Sequence, residues 1–273
     1  MILKFAQSPI SNSCEFQNHR DTGVRRMISD GHRKSCQQGA SLRVLVVENY
    51  DNTGLGQVGK ALAEAGAEID LRRAHRGDPL PESIDGHDAA VVLGGGQNAL
   101  ADGEYPYFPQ LLNLLRNFEA RDRAVLGICL GSQILARAFG GENHIGTASE
   151  FGWCEVELTG AARTDAVLGA LPERFLAFQW HDDTFTLPER AERLAKNTAA
   201  ENQAFRIGRA TYGIQFHFEA DRPLVREWNA AYASLIAERH PDWADRFDEE
   251  AARHGPDADA AGLAIARAWV KTI

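Results

Sequence analysis

The stretch AVLGICLGSQILARAFGG, residues 124–141, governs the reading of the whole chain. It opens on AVLGI, a short apolar run of buried-strand type, and continues with helical spacing through Ile134 and Leu135. Between them lies Gly127-Ile-Cys129-Leu-Gly131, with a glycine two residues to either side of the cysteine. Such neighbours let a strand turn sharply into a helix and present one side chain at the bend, the cysteine version of the G-x-S-x-G elbow. A sulfur so placed sits at a helix N-terminus, where unpaired N–H groups and the helix dipole favour thiolate over thiol. The next N–H, that of Leu130, is left free to face a developing oxyanion. A buried structural cysteine is the commoner role for an isolated Cys. Both glycines and the strand-to-helix switch argue for the nucleophile.

Working outward, LRVLVVE (42–48) is a β-branched run typical of a strand buried on both faces. A turn with Asn52 and Gly54 and a helix ending at Gly66 follow, then strands over EIDLRR (68–73) and DAAVVLGGG (88–96). Helical periodicity returns over 108–122, immediately before the elbow strand 124–128. This alternation predicts βαβ units and an α/β fold with a mostly parallel central sheet flanked by helices. Beyond residue 150 the segments 154–159, 174–181, 204–208 and 211–219 read as strands. They are expected to extend the sheet or to form an antiparallel flap beside it. In PLVREWNAAYASLIAER, Leu224, Trp228, Leu235 and Ile236 share one helical face, and a last helix is expected over 258–271.

Three segments are therefore expected: a disordered or loosely attached tail over 1–40, a catalytic domain over 41–222, and a helical extension over 223–273 packed on it. The tail is rich in polar residues and holds six Lys/Arg against three Asp/Glu. Glu15, Asp21 and Asp30 weigh against a mitochondrial transit peptide.

The chain has 273 residues and a net charge of −9, which speaks against nucleic-acid binding and suits a protein handling small metabolites. No apolar run approaches the ~20 residues of a membrane span, and no signal peptide is evident. The four cysteines (14, 36, 129, 154) show no disulfide frame, so a reducing cytoplasm is the expected setting. No CxxC or HExxH pattern suggests a metal, and no P-loop suggests a nucleotide; no cofactor is expected.

TYGIQFHFEA (211–220) carries the second constellation. Strand alternation sends Ile214, Phe216 and Phe218 to one face and Gln215, His217 and Glu219 to the other. A carboxylate two residues from a histidine on one face can fix its tautomer and stabilise the imidazolium. Taken alone, this segment reads equally well as a polar strand edge. With Cys129 it completes a nucleophile–base–orienter set.

On Gly127-Ile-Cys129-Leu-Gly131-Ser-Gln133, Gly213-Ile-Gln-Phe-His217-Phe-Glu219 and Leu93-Gly94-Gly95-Gly96, the chain resembles the triad-type (class I) glutamine amidotransferases over roughly residues 42–220. The resemblance implies a flavodoxin-like fold and attack by Cys129 on the glutamine side-chain amide. His217 would move protons, Glu219 would orient it, and Gly95 and Leu130 would offer N–H groups to the oxyanion. Gln133, one turn into the elbow helix, would reach the substrate; a polar first-turn residue without function is the alternative. Phe151-Gly-Trp153 and Gln179-Trp-His181-Asp-Asp183 resemble a stand-alone subgroup similar to the amidotransferase domain of GMP synthase. There His181 and Asp183 would lie near the pocket mouth, or else form a structural turn. The chain departs from the family where members commonly carry proline. Gly96 leaves the oxyanion loop freer, and Phe218 suits a strand.

No synthetase domain is legible in the chain. The expected substrate is glutamine or another γ-glutamyl compound, and three functions compete. One is a glutaminase supplying ammonia to a synthetase in trans. The second is a free-standing γ-glutamyl hydrolase or peptidase. The third is a binding or regulatory module with a vestigial site. An exposed apolar patch beside the site would favour the first, a lid made from 223–271 the second.

Overall fold

The computed structural model describes residues 41–273. The expected tail over 1–40, with Cys14 and Cys36, lies outside the described residues.

Five segments build the parallel half: β1 (Arg43–Glu48), α1 (Gly56–Glu64), β2 (Glu68–Arg73), β3 (Ala89–Val92) and α2 (Phe108–Ala120). The elbow follows as β4 (Ala124–Ile128) and α3 (Leu130–Ala138). Next come β5 (Asn143–His144), β6 (Glu150–Leu158), β7 (Arg174–His181), β8 (Thr184–Phe185), β9 (Ala191–Lys196), β10 (Ala204–Ile207) and β11 (Thr211–Ile214). Three helices close the chain: α4 (Arg222–Ala231), α5 (Ala233–Arg239) and α6 (Trp243–Val270).

Nine strands form one sheet in the order β2-β1-β3-β4-β11-β10-β9-β6-β7, and β5 pairs with β8 beside it. The first five are parallel, and the remaining neighbours run antiparallel. The segments after residue 150 thus extend the sheet rather than form a separate flap. Val44 to Val47, Ala89 to Val92 and Ala124 to Leu126 are sealed from solvent, as a sheet covered on both faces requires. One apolar layer includes Leu126, Ile128, Phe216, Phe218 and Trp269; the opposite layer includes Val125, Leu115, Phe118 and Ile134.

Three expectations are corrected. The strand read over 211–219 ends at Ile214, and His217 makes only an isolated bridge with Phe178. The helix read from residue 223 breaks at Tyr232, where α4 ends and α5 begins. The last helix starts at Trp243, not 258, and runs through Pro256. An interior proline costs a helix about 3 kcal/mol. Here Trp243, Phe247 and Ala251 before it, and Ile265, Ala266 and Trp269 after it, are all buried, and that packing outweighs the break.

Candidate active site

Two adjacent parallel strands place the chemistry. Ile128, the last residue of β4, pairs with Ile214, the last of β11, so their chain continuations leave the same sheet edge side by side. In open α/β sheets this carboxyl edge is where sites are built. Cys129 follows β4 in a strained conformation, φ 51° and ψ −110°, uncommon for a residue with a Cβ. Its N–H donates to the Ile214 carbonyl at 2.8 Å, while its own carbonyl accepts from Ser132 N–H at 2.9 Å and the Ser132 hydroxyl at 2.7 Å. The bend tolerates no side chain at Gly131, whose Cβ would lie 2.1 Å from the Val92 carbonyl. The elbow expected from the sequence is thus built in backbone geometry.

After β11, the His217 N–H donates to the Phe178 carbonyl at 2.8 Å, which holds the segment to β7 where the ladder has ended. His217 Nδ1 lies 2.7 Å from Glu219 Oε1, and both side chains are buried. Burial disfavours the imidazolium. The charges of Glu219 and Cys129, with their hydrogen bonds to the ring, outweigh it and raise the His217 pKa to about 10. Glu219 Oε2 is buried without a partner among the described residues, while its backbone carbonyl accepts from Gln57 N–H at 2.8 Å. Gly94, just past β3, touches both groups: a Cβ there would sit 3.1 Å from His217 Cε1 and 3.5 Å from Cys129 Cβ.

Gly95 and Leu130 border the same space, and neither N–H has a hydrogen-bond partner among the described residues. A Cβ on Gly95 would overlap Gln97 Oε1 at 2.3 Å and Leu130 Cδ2 at 2.9 Å. The loop freed by Gly96 is pinned from its flanks. Asn49 Nδ2 donates to the Leu93 carbonyl at 2.7 Å, and Gln97 Nε2 donates to the Asn49 carbonyl. Tyr107 in turn donates to Asn49 Oδ1 at 3.0 Å.

Gln133 donates through Nε2 to Gln215 Oε1 and to the Asp183 carbonyl, each at 3.3 Å. The structure therefore brings the backbone of Asp183 to Gln133, while its carboxylate, whose pKa burial raises, accepts from Gly146 N–H at 2.7 Å. His181 is buried beside Asp183. Its side chain is 1% exposed, with Nδ1 3.1 Å from the Asp183 carbonyl and Nε2 3.1 Å from Glu150 Oε2.

Sequence reasoning missed several neighbours. The Trp180 carbonyl lies 3.7 Å from Cys129 Sγ. The Trp228 ring meets His217 edge-on, with centroids 5.0 Å apart. In the sequence Trp228 shows only as part of a helical face, and a long-range contact of this kind leaves no local signal. Glu150 and Asn49 give a weaker one, as polar residues beside apolar strand sequence. Among the described residues no cluster of His, Cys, Asp and Glu could hold a metal ion, and no helix is long and apolar enough to cross a membrane.

The fold is an open, mostly parallel α/β sheet with Cys129 and His217 at the carboxyl edge of its central strands, and comparison with known sequences gives the family. The chain belongs to the glutamine amidotransferase class-I family, whose profile matches residues 45–223. The glutamine amidotransferase-like protein YfeJ of Salmonella typhimurium is 29% identical over 181 residues, 65% of this chain and 76% of that protein. A GMP synthase [glutamine-hydrolyzing] subunit from Natronomonas pharaonis is 31% identical over 180 residues, covering 65% of this chain and 88% of its own length. The crystal structure of a glutamine amidotransferase from Thermotoga maritima superposes with a TM-score of 0.74 at 28% identity, over 84% of this chain and 98% of that one.

Proposed function

We propose that the protein hydrolyses the side-chain amide of glutamine through a γ-glutamyl thioester on Cys129. One observation carries this reading: the elbow cysteine and His217 meet at the same spot beside Gly94, and His217 Nδ1 is 2.7 Å from a buried carboxylate. The Cys129 sulfur attacks the amide carbon, and the carbonyl oxygen takes the charge, facing the N–H groups of Gly95 and Leu130. The C–N bond then breaks, His217 protonates the departing nitrogen, and ammonia leaves. Water, deprotonated by His217, attacks the thioester and releases glutamate and the free sulfur. Glu219 keeps the imidazole in the required tautomer and balances its charge throughout.

The likeness to the GMP synthase subunit supports a synthetase acting in trans as consumer of the ammonia. A second reading, a free-standing γ-glutamyl hydrolase, is favoured by the chain's own helices. Trp228 and Tyr232 lie over the site, and Trp228 Nε1 donates to the Asn52 carbonyl at 2.8 Å.

The test is release of ammonia and glutamate from glutamine, γ-glutamyl amides and γ-glutamyl dipeptides, with Cys129→Ala as control. Cys129-dependent turnover of glutamine supports the first reading, and preference for another γ-glutamyl compound supports the second. If glutamine and the γ-glutamyl compounds all stay intact and Cys129 resists a glutamine-mimicking alkylator, the hydrolytic reading is wrong.

A further inference from the structure

Behind the first turn of α3 the buried polar side chains close into a ring. Glu150 is its only carboxylate, with a side chain 5% exposed. Its Oε2 accepts from Gln203 Nε2 at 2.6 Å and faces His181 Nε2, while Oε1 accepts from Asn197 Nδ2. His181 Nδ1 faces the Asp183 carbonyl, which also accepts from Gln133 Nε2. The second Gln133 N–H goes to Gln215 Oε1, and the Gln215 backbone N–H returns to the Gln203 carbonyl at 2.8 Å. Gln179 Nε2 holds the Gln203 amide from the other side at 2.9 Å. Glu150 and His181 also face each other across the β6–β7 ladder, so backbone register and side-chain contact reinforce one another.

This ring has a consequence for Gln133. An amide side chain can turn over, exchanging its donor and acceptor ends. Both N–H groups of Gln133 are committed, one to Gln215 Oε1 and one to the Asp183 backbone carbonyl, so turning it would set Oε1 against a carbonyl that can only accept. Its Oε1 has no partner among the described residues and, unlike Gln215 Nε2, is not sealed from solvent. The orientation of the Asp183 carbonyl depends on His181, and that of His181 on Glu150. We propose that Glu150 is a positioning residue: through His181 and the Asp183 carbonyl it fixes which end of the Gln133 amide faces the substrate. The proposal rests on the glutaminase reading above, since it assigns a task to the same site.

The consequence is a defect in substrate binding with the chemistry preserved. Glu150→Gln replaces a carboxylate oxygen with an amide N–H beside the Gln203 and Asn197 amide donors, which loosens His181 and lets the Gln133 amide turn. The purified full chain is assayed for glutamine hydrolysis and, separately, for Cys129 alkylation by 6-diazo-5-oxo-norleucine and by iodoacetamide. The diazo ketone must be recognised as glutamine; iodoacetamide need only reach the sulfur. Glu150→Gln is expected to raise KM about tenfold, equivalent to about 1.4 kcal/mol of binding, with kcat within about threefold. Capture of the diazo ketone should slow comparably and iodoacetamide labelling should not. Glu150→Asp should recover part of the loss. In a Gln133→Ala background, Glu150→Gln should add almost nothing, because the effect passes through Gln133.

An unchanged KM, a loss confined to kcat, or full additivity with Gln133→Ala overturns the proposal. Should Glu150→Gln fail to fold, Glu150→Asp and Gln203→Leu carry the same cycle with the same criteria. A wild-type protein that neither hydrolyses glutamine nor is captured by the diazo ketone overturns the glutaminase reading itself. A normal wild type beside a normal Glu150→Gln overturns this inference alone.

Discussion

The Trp228 indole stands edge-on to the His217 imidazole, centroids 5.0 Å apart and planes at 78°, so that α4 covers the group proposed as general base. Trp180 and Tyr232 extend the cover, and Tyr232 donates to the Asp51 carbonyl. Cys129 is 5% exposed and His217 7%, so access to the sulfur is expected to depend on this cover. Its attachment to the loop after β1 includes the Trp228 and Tyr232 hydrogen bonds to carbonyls.

Trp228→Phe keeps an aromatic edge on His217 but removes the bond to Asn52. A hydrogen bond of this kind contributes about 1 kcal/mol, so the open form should become roughly five times more populated. Iodoacetamide labelling of Cys129 should speed up by about that factor. Unchanged labelling would mean that the indole bond does not hold the cover down.

The raised His217 pKa gives a pH signature. Its folded value, about 10, exceeds the ordinary histidine value of about 6.5. A group whose pKa is raised on folding stabilises most where it is protonated in both states. The contribution is therefore complete below about pH 6.5 and is lost as pH climbs towards about 10. Denaturant unfolding should show stability falling across that window. Glu219→Gln and Cys129→Ala, each removing a charge that raises the pKa, should flatten the fall. An equal slope in both variants would assign it to other groups.

Gly95 and Gly96 are neighbours in sequence with opposite tolerance. A Cβ at Gly95 would meet Gln97 Oε1 at 2.3 Å, whereas one at Gly96 would touch the Tyr50 ring at an ordinary 3.4 Å. Gly95→Ala should fold yet displace the N–H proposed to face the oxyanion and lower kcat about 10²-fold, the usual effect of losing one such donor. Gly96→Ala should stay within about threefold of wild type, since no buried contact is strained. Equal kcat losses in the two would remove Gly95 from the oxyanion hole.

The parallel strands and the elbow were legible because they are local. Five apolar residues, a cysteine between glycines and a helical repeat encode β4, the bend and α3 within one stretch of chain. The strand read through Glu219 overshot because alternation of Ile214, Phe216 and Phe218 survives past the ladder; all three stay buried though only Ile214 is paired in β11. The pairing of His217 with Glu219 was right in contact though the strand invoked for it is absent. β9 went unread because AERLAK (191–196) lacks a β-branched run, and its place between β10 and β6 comes from its neighbours. The ring around Glu150 joins residues from five stretches of chain, a relation that no local pattern carries.

Gly262, in the middle of α6, shows how far the site's support extends. A Cβ there would lie 2.1 Å from the Phe218 carbonyl, between His217 and Glu219 in sequence. The Glu219 carbonyl is held from the other side by Gln57 N–H, and Gln57 Nε2 reaches the Asp259 carbonyl of α6 at 2.6 Å. The backbone bearing the histidine and its carboxylate is thus clasped between α1 and α6. In an exposed helix, glycine to alanine gains about 1 kcal/mol. Here it must either push α6 outward or move Phe218. Gly262→Ala should lose about 1–3 kcal/mol of stability, the range for overpacking a tight contact. It should also lower kcat about tenfold or more, because even a 1 Å misplacement of reacting groups is costly. Arg267, further along α6, pairs with Glu64 at 2.7 Å in a solvent-exposed bridge of the kind that adds little to stability, so Arg267→Ala serves as the control. If Gly262→Ala matched that control in both kcat and unfolding midpoint, α6 would be a passive cover and not part of the scaffold that aligns His217 and Glu219 with Cys129.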